Sequence, residues 1–476
     1  MPAMTGSLEL EPSPEEMRAL VEAATQRIVE HVASLPGQPA ADVANATELA
    51  RSLAGPLPEA GRPLAEALEL LFDRAVPASF NTASPGYLAY IPGGGLFASA
   101  LADLIGSSVN RYTGLWIAAP GLVQLEMNVL RFFCELVGYG PGSGGILTSG
   151  GSLANFSALV TARRERLPED FLSGTLYVSS ETHHSIHKAA LLAGFPASAV
   201  RRVAVDERFR IRVDTLRQAL ARDRAEGRRP FLLVANAGST NTGAVDDLAA
   251  LAELAREEGL WLHVDAAYGG FFLLTERGRA LLGEIRHADS VVLDPHKGLF
   301  LPYGNGALVL RDALALKRAH AVAADYLPPV QDGLERVDFA DISPELSRDF
   351  RGLRVWLPLV LHGIGAFRRA LDEKLDLAAW VTERLREVPG IEIVAPPQLS
   401  LVAFRLRRAG LDAAGLDALN RELLARVNAR QRVHLSGTRL DAGFVLRICV
   451  LSFRTHRDRV EQAVQDLAAA AAELPG

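Results

Sequence analysis

The feature that most constrains this chain is the rhythm of its middle. Short runs rich in β-branched and apolar residues recur there: TLYVSS (175–180), FLLVANAG (231–238), LWLHVDAAY (260–268), SVVLDPHK (290–297) and GALVL (306–310). Amphipathic stretches such as DDLAALAELAREEG (246–259) separate several of them. Strand, helix, strand at this spacing predicts βαβ units and a largely parallel sheet. Ligands of such sheets bind outside the carboxyl ends of the strands. Ser180, Gly238, Asp265 and Lys297 fall at or just beyond those ends, so they are expected to share one site.

The flanks read differently. From Ser13, SPEEMRALVEAATQRIVEHVASL has apolar residues at helical spacing, with Ser13, Pro14 and Glu16 as a capped start. A second helical patch covers roughly 60–75, and the turn-rich NTASPGYLAYIPGGG (81–95) marks a boundary. Past about 365 a long helix leads into short strands (IEIVA, LVAFRL, FVLRICVLS) with helices between and after, an α+β pattern. The expected division is an N-terminal helical segment (1–85), a large domain (86–365) and a small C-terminal domain (366–476).

Bulk properties exclude several classes. Of the 476 residues 49% are hydrophobic, ample for a large core. The formal charge is −6 and no basic tract stands out, so there is no electrostatic footprint for nucleic acid or an acidic membrane. The acidic start has no apolar run of the signal-peptide kind, and no stretch has the apolar length of a membrane span. Cys134 and Cys449 sit in apolar runs and read as buried packing residues. A cytoplasmic protein is expected.

Lys297 is the one lysine of an apolar, glycine-rich run. Read as having no nearby acid, its ammonium is costly there unless it is paired or gives up its charge, and a lysine that gives up its charge is available for Schiff-base chemistry. GGILTSGGSLANFSALVTARRER (144–166) is a short strand, a glycine turn and a long helix. Gly150 and Gly151 allow close approach of an anion, and Ser149, Ser152 and the helix start would hold it. Neither a Walker loop nor GxGxxG spacing is present, and a plain turn with a serine cap is the bland alternative. In HVDAAYGG (263–270) Asp265 ends a strand, either capping the next turn or keeping a heterocyclic nitrogen protonated. SSETHHSIHKAALLAG (179–194) holds His183, His184 and His187. The i, i+4 pair His183/His187 raises a metal site, but no HExxH or CxxC supports one, and none is expected. His183, at a strand-to-helix turn, could stack on a planar cofactor.

TSGGSLAN, THHSIHKA, HVDAAYGG and DPHKG, in that order, resemble the group II pyridoxal-phosphate-dependent amino-acid decarboxylases, most of all the aromatic-L-amino-acid branch. The resemblance runs from about 80 to 360, with a looser echo to the C-terminus. It implies the fold type I α/β architecture: a mostly parallel seven-stranded sheet in the large, cofactor-binding domain, the smaller α+β domain, and a helical segment used in dimerisation. It also implies pyridoxal 5'-phosphate bound through Lys297, with Asp265 on the ring nitrogen, His183 on one ring face and Ala267 on the other. Gly151, Ser152 and their neighbours would hold the phosphate, with Thr240 and His296 lining the site. Tyr326 matches the mobile-loop tyrosine that returns a proton to the substrate Cα. Asp294 stands where the family often has Asn, and a carboxylate beside a phosphate is repulsive. A homodimer with its active site at the subunit interface is the implied assembly.

The implied reaction is decarboxylation of an L-amino acid to its amine and CO2. GYLAYIP, LWIAAPGLVQLE and SRDFRGLRVW resemble the aromatic enzymes, and Tyr90, Ile91 and Trp116 would supply an apolar wall. Ser347 falls where plant relatives alternate between Gly and Ser with indolic or phenolic preference, a pointer to phenolic substrates. Gly93–Gly95 replace bulkier residues of the aromatic enzymes and either enlarge the pocket or form a turn; NRYTGLW echoes the glutamate branch, and Arg447 is common to both. The alternatives are a non-aromatic substrate such as glutamate, an oxygen-using aldehyde synthase, and a catalytically silent interaction protein. Intact Tyr326 and His183 argue against the synthase, and intact Lys297, Asp265 and His183 against the silent protein.

Overall fold

A computed structural model describes residues 10–322, 333 and 335–474. Seven strands form the larger sheet: β1 (Gly144–Thr148), β2 (Gly174–Ser179), β3 (Val200–Val203), β4 (Arg229–Asn236), β5 (Trp261–Asp265), β6 (Ser290–Leu293) and β7 (Gly306–Leu310), in the order β1-β7-β6-β5-β4-β2-β3. From β3 to β6 all neighbours run parallel; β7 alone is reversed, antiparallel to both β6 and β1. Strands β2, β6 and β7 are buried along their whole length, as expected where helices cover both faces. The helix Gly151–Arg166 lies across the sheet, against β4, β5, β6, β7 and β1. Local rules place the helices. Asp247 caps Leu248–Glu258 by accepting from Ala250 N at 3.1 Å, and Gly259 ends it at φ 67°.

A smaller antiparallel sheet follows: β8 (Ile391–Ala395), β9 (Leu401–Leu406), β10 (Ser436–Leu440) and β11 (Gly443–Cys449), ordered β10-β11-β9-β8. It has its own apolar core, built from residues such as Val381, Leu385, Phe404, Leu423 and Ile448. The helices Ile364–Arg386 and Arg457–Ala472 pack together beside it. At the N-terminus the helix Pro14–Ser34 starts at a capping box: Glu16 N donates to Ser13 Oγ at 3.2 Å and Ser13 N to Glu16 Oε2 at 2.8 Å. None of its residues is buried. Among the described residues, no helix is long and apolar enough to cross a membrane.

The reversal of β7 has a local effect. The chain leaves β6, makes the short helical turn Pro295–Gly298, and returns beside β6 as β7. Lys297 therefore hangs at the carboxyl end of the sheet, next to the end of β5.

Candidate active site

A cavity of 280 Å³ opens at the carboxyl ends of the parallel strands. Lys297, Asp265, His183 and Ala267 line it, together with Gly151, Ser152, Thr240 and His296. The eight residues expected around the cofactor are thus brought together. Of the four strand-end residues expected to share a site, Gly238, Asp265 and Lys297 do so. Ser180 does not line the cavity; its N–H is tied to Val203 O at the end of β3. Sequence reasoning missed Asn155, Ser185, Asn236 and Tyr268, which also line it. Asn155 carried a usable signal, since it lies four residues after Gly151 on one helix and so on the same face.

Lys297 is not without an acid. The turn Pro295–Gly298 carries its Nζ back to 2.9 Å from Asp294 Oδ2. Burial pushes the amine's pKa down, but the charge and hydrogen bond of Asp294, with Asp265 behind, outweigh it and raise it above the ordinary lysine value. The expected neutral amine is therefore a paired ammonium in this chain. Asp294 is buried, and its Oδ1 has no hydrogen-bond partner among the described residues.

Asp265 ends β5 with both oxygens engaged: Oδ2 accepts from Asn155 Nδ2 at 3.1 Å and Oδ1 from Ala267 N at 3.2 Å. His183 caps the helix His184–Leu192 through Nδ1, which accepts from Ser185 N at 3.3 Å. Burial lowers the His183 pKa, with Asp265 opposing, so the ring is neutral at pH 7. His296 donates from Nδ1 to Asn305 O at 2.5 Å, and Thr240 O accepts from the Arg447 guanidinium.

The helix Gly151–Arg166 has no side-chain cap, so its first N–H groups and positive dipole end face the cavity. A Cβ on Gly151 would lie 2.9 Å from Asp294 Oδ2, so the loop can sit this close only as glycine. A lysine amine, a carboxylate, a neutral ring and an uncapped helix start fit a flat, aldehyde-bearing, phosphorylated heterocycle. Pyridoxal phosphate is such a group. One group fits less well: Asp294 presents a carboxylate under the loop that would take the phosphate.

The residues expected to form a substrate wall stand apart from this cavity. Ile91 is turned into the main core. Tyr90 is 55% exposed, on a segment whose N–H bonds Ser436 Oγ at 3.1 Å. Trp116 lies under the Arg336 guanidinium, and its N–H donates to Asp338 Oδ1 at 2.6 Å. Ser347 is exposed beside Asp103 and Arg354 in a separate cavity. Within one chain these four do not form one pocket. Gly93 serves a close approach rather than added room, since a Cβ there would lie 2.0 Å from His296 O. Tyr326 and most of the loop around it lie outside the described residues.

Comparison with known proteins agrees with this chemistry. Residues 72–407 match the family described as the pyridoxal-dependent decarboxylase conserved domain. An aromatic-L-amino-acid decarboxylase of Bacillus atrophaeus is 34% identical over 99% of this chain and 98% of its own. A cysteine sulfinic acid decarboxylase of Homo sapiens is 37% identical over 65% of each chain. The crystal structure of Oryza sativa TDC with PLP and tryptamine superposes with a TM-score of 0.92 at 25% identity, covering 98% of this chain and 99% of that one.

Proposed function

Because the chain belongs to the pyridoxal-dependent decarboxylase family and is a pyridoxal-phosphate-dependent amino-acid decarboxylase, we propose that its substrate is an aromatic L-amino acid and that Lys297, Asp265, His183 and Tyr326 carry the reaction. The observation that supports these roles best is the convergence of Lys297 and Asp265, from adjacent strand ends, on one cavity beside an uncapped helix start. Similarity to an aromatic-L-amino-acid decarboxylase over nearly the full length supports the substrate class.

When bound, pyridoxal phosphate supplies the sink for the electrons left behind by departing CO2. Lys297 Nζ anchors the cofactor's aldehyde carbon. The N–H groups at the start of Gly151–Arg166, with Ser152, hold the phosphate. Asp265, its oxygens fixed by Asn155 and Ala267, holds a proton on the ring nitrogen. His183 and Ala267 confine the ring, and Tyr326 returns the proton to Cα.

The assembly belongs to the same proposal. The helix Phe97–Val109 exposes Phe97, Leu101, Leu104, Ile105 and Val109, a continuous apolar face. Val360 and Leu361 are exposed on Arg351–His362, which packs against it. A second copy of the chain covers this face in a homodimer, and the exposed Tyr90 and Ser347, with the half-buried Trp116, meet substrate there. The division at about residues 85 and 365 and a cytoplasmic location complete the reading; the separate apolar core of the C-terminal sheet supports the second boundary, and the buried free thiols of Cys134 and Cys449 support the location.

A panel of L-amino acids with amine and CO2 detection tests the substrate. Turnover of tyrosine, phenylalanine, tryptophan or a hydroxylated relative is expected. Robust turnover of glutamate with none of these would sink the aromatic assignment, and aldehyde with peroxide in place of amine would make the enzyme a synthase.

A further inference from the structure

Behind the cavity runs a buried hydrogen-bonded chain, of which the roles above use only Asp265, His183 and the Asn155 bond to Asp265. Trp261, His263 and Asp265 alternate onto one face of β5, the face covered by the helix that carries Asn155. Trp261 Nε1 donates to Ser290 Oγ at 2.8 Å, and Ser290 Oγ lies 2.8 Å from His263 Nδ1. His263 Nε2 lies 2.9 Å from Asn155 Oδ1. Asn155 Nδ2 donates to Asp265 Oδ2 at 3.1 Å and to Ser185 Oγ at 2.9 Å, and Ser185 Oγ lies 2.8 Å from His183 Nδ1. Asn155, Ser185, His263 and Ser290 are all buried.

The direction of each bond follows from which groups can only accept or only donate. An ionised carboxylate accepts, so the Asn155 amide nitrogen faces Asp265 and its oxygen faces His263. That oxygen accepts, so His263 carries a proton on Nε2. Burial pushes the His263 imidazole down to about 4, which makes the ring neutral at pH 7 and leaves Nδ1 as an acceptor. The Trp261 indole can only donate, so Ser290 accepts from it and passes its own hydroxyl proton to His263 Nδ1. At the other branch the Ser185 backbone N–H can only donate, so His183 Nδ1 accepts and the His183 proton sits on Nε2. Every donor in the series from Trp261 points toward Asp265, and bonds aligned in this way strengthen one another.

We propose that His263 and Asn155 are positioning residues of the decarboxylase: His263, as the neutral Nε2–H tautomer, locks the Asn155 amide, which holds Asp265 as an acceptor and, through Ser185, keeps the His183 proton on Nε2. The effect on catalysis rests on Asp265 facing the cofactor's ring nitrogen; the tautomer does not. Without the His263 donor the Asn155 amide is free to flip, which sets its oxygen against the Asp265 carboxylate. His263→Leu removes the donor, whereas His263→Gln retains an N–H for Asn155 Oδ1.

Two measurements test this. In the apoenzyme labelled with 15N-histidine, the His263 resonances (assigned by their loss in His263→Gln) are expected to show a neutral Nε2–H ring throughout pH 5.5 to 8. In the holoenzyme, His263→Leu is expected to lower kcat about tenfold or more with KM changed less than about twofold, and His263→Gln to recover most of the loss. An Nδ1–H tautomer, a ring that charges within that pH range, or equal kcat for the Leu and Gln variants would overturn the proposal. An unchanged kcat in Asp265→Asn, with the expected His263 spectrum, would overturn the cofactor role of Asp265 and leave the tautomer standing.

Discussion

Replacing Asp294 by Asn should free the Lys297 amine. The two groups are 2.9 Å apart, with Asp294 buried and the Lys297 side chain 22% exposed. At an effective dielectric of about 20, two unit charges at that distance attract by roughly 6 kcal/mol. Asn retains a hydrogen bond, worth about 1.5 kcal/mol or more to a charged donor. Partial access of water to the amine screens the remainder. Between the small value of an exposed pair and the several kcal/mol of a buried one, about 2 kcal/mol of ammonium stabilisation is lost. That is roughly a 30-fold gain in uncharged amine at pH 7. The assay treats apoenzyme with a small aldehyde and borohydride and quantifies labelling at Lys297 by mass spectrometry, with the exposed Lys188 as reference. A phosphate-free aldehyde removes any change in phosphate binding. Dividing the rate at pH 7 by the same protein's high-pH plateau cancels any change in intrinsic nucleophilicity. This ratio should rise about 30-fold in Asp294→Asn; a ratio within twofold of wild type refutes the reasoning. The sign of the stability linkage agrees. A lysine whose pKa is raised by folding adds stability at pH values below its unfolded value, and that stability is lost as pH rises through the folded value. The alkaline loss should be smaller in Asp294→Asn.

Asp265→Asn should lower kcat by about 100-fold or more with a much smaller effect on KM, because the ring nitrogen loses its anion; steady-state amine formation checks this. Glu126→Gln should destabilise the fold by roughly 3–5 kcal/mol in urea unfolding, since it leaves the buried Arg348, now 2.5 Å from Glu126, without its counter-ion. His320 is pushed down to about 4 by burial, so it adds stability that is fully present above pH 6.5 and lost as pH falls toward 4. His320→Gln should therefore lose about 2 kcal/mol less than wild type between pH 7 and pH 5. Leu104→Glu, on the exposed face of Phe97–Val109, should convert dimer to monomer in light scattering; an unchanged mass would place the partner surface elsewhere.

The strands that carry the chemistry were legible because their apolar runs end abruptly in polar residues: β5 at Asp265, β6 just before Asp294. Strand β3, VRRV, was not, because this edge strand sets two consecutive arginines between two valines and has no long apolar run. β10, SGTRL, was hidden for a similar reason. The reversal of β7 was not legible either, since GALVL reads alike in both directions. Asp294 stood in plain view three residues before Lys297, but the pair forms only because Pro295–Gly298 closes a helical turn. Tyr90, Trp116 and Ser347 could not be gathered from one chain's pattern, because their placement depends on long-range packing and on whatever covers the apolar face.

Asp265 and the strand that leads to Lys297 are tied by parallel ladder bonds, with Asp265 opposite Val292. The spacing between Asp265 and Lys297, the side chains proposed to hold the ring proton and the cofactor, is thereby inherited from the backbone of two almost wholly buried strands. A slip of one residue would swing every side chain to the opposite face. Divergence toward new substrates is thus channelled into the outlying turns, where mutations leave that spacing untouched.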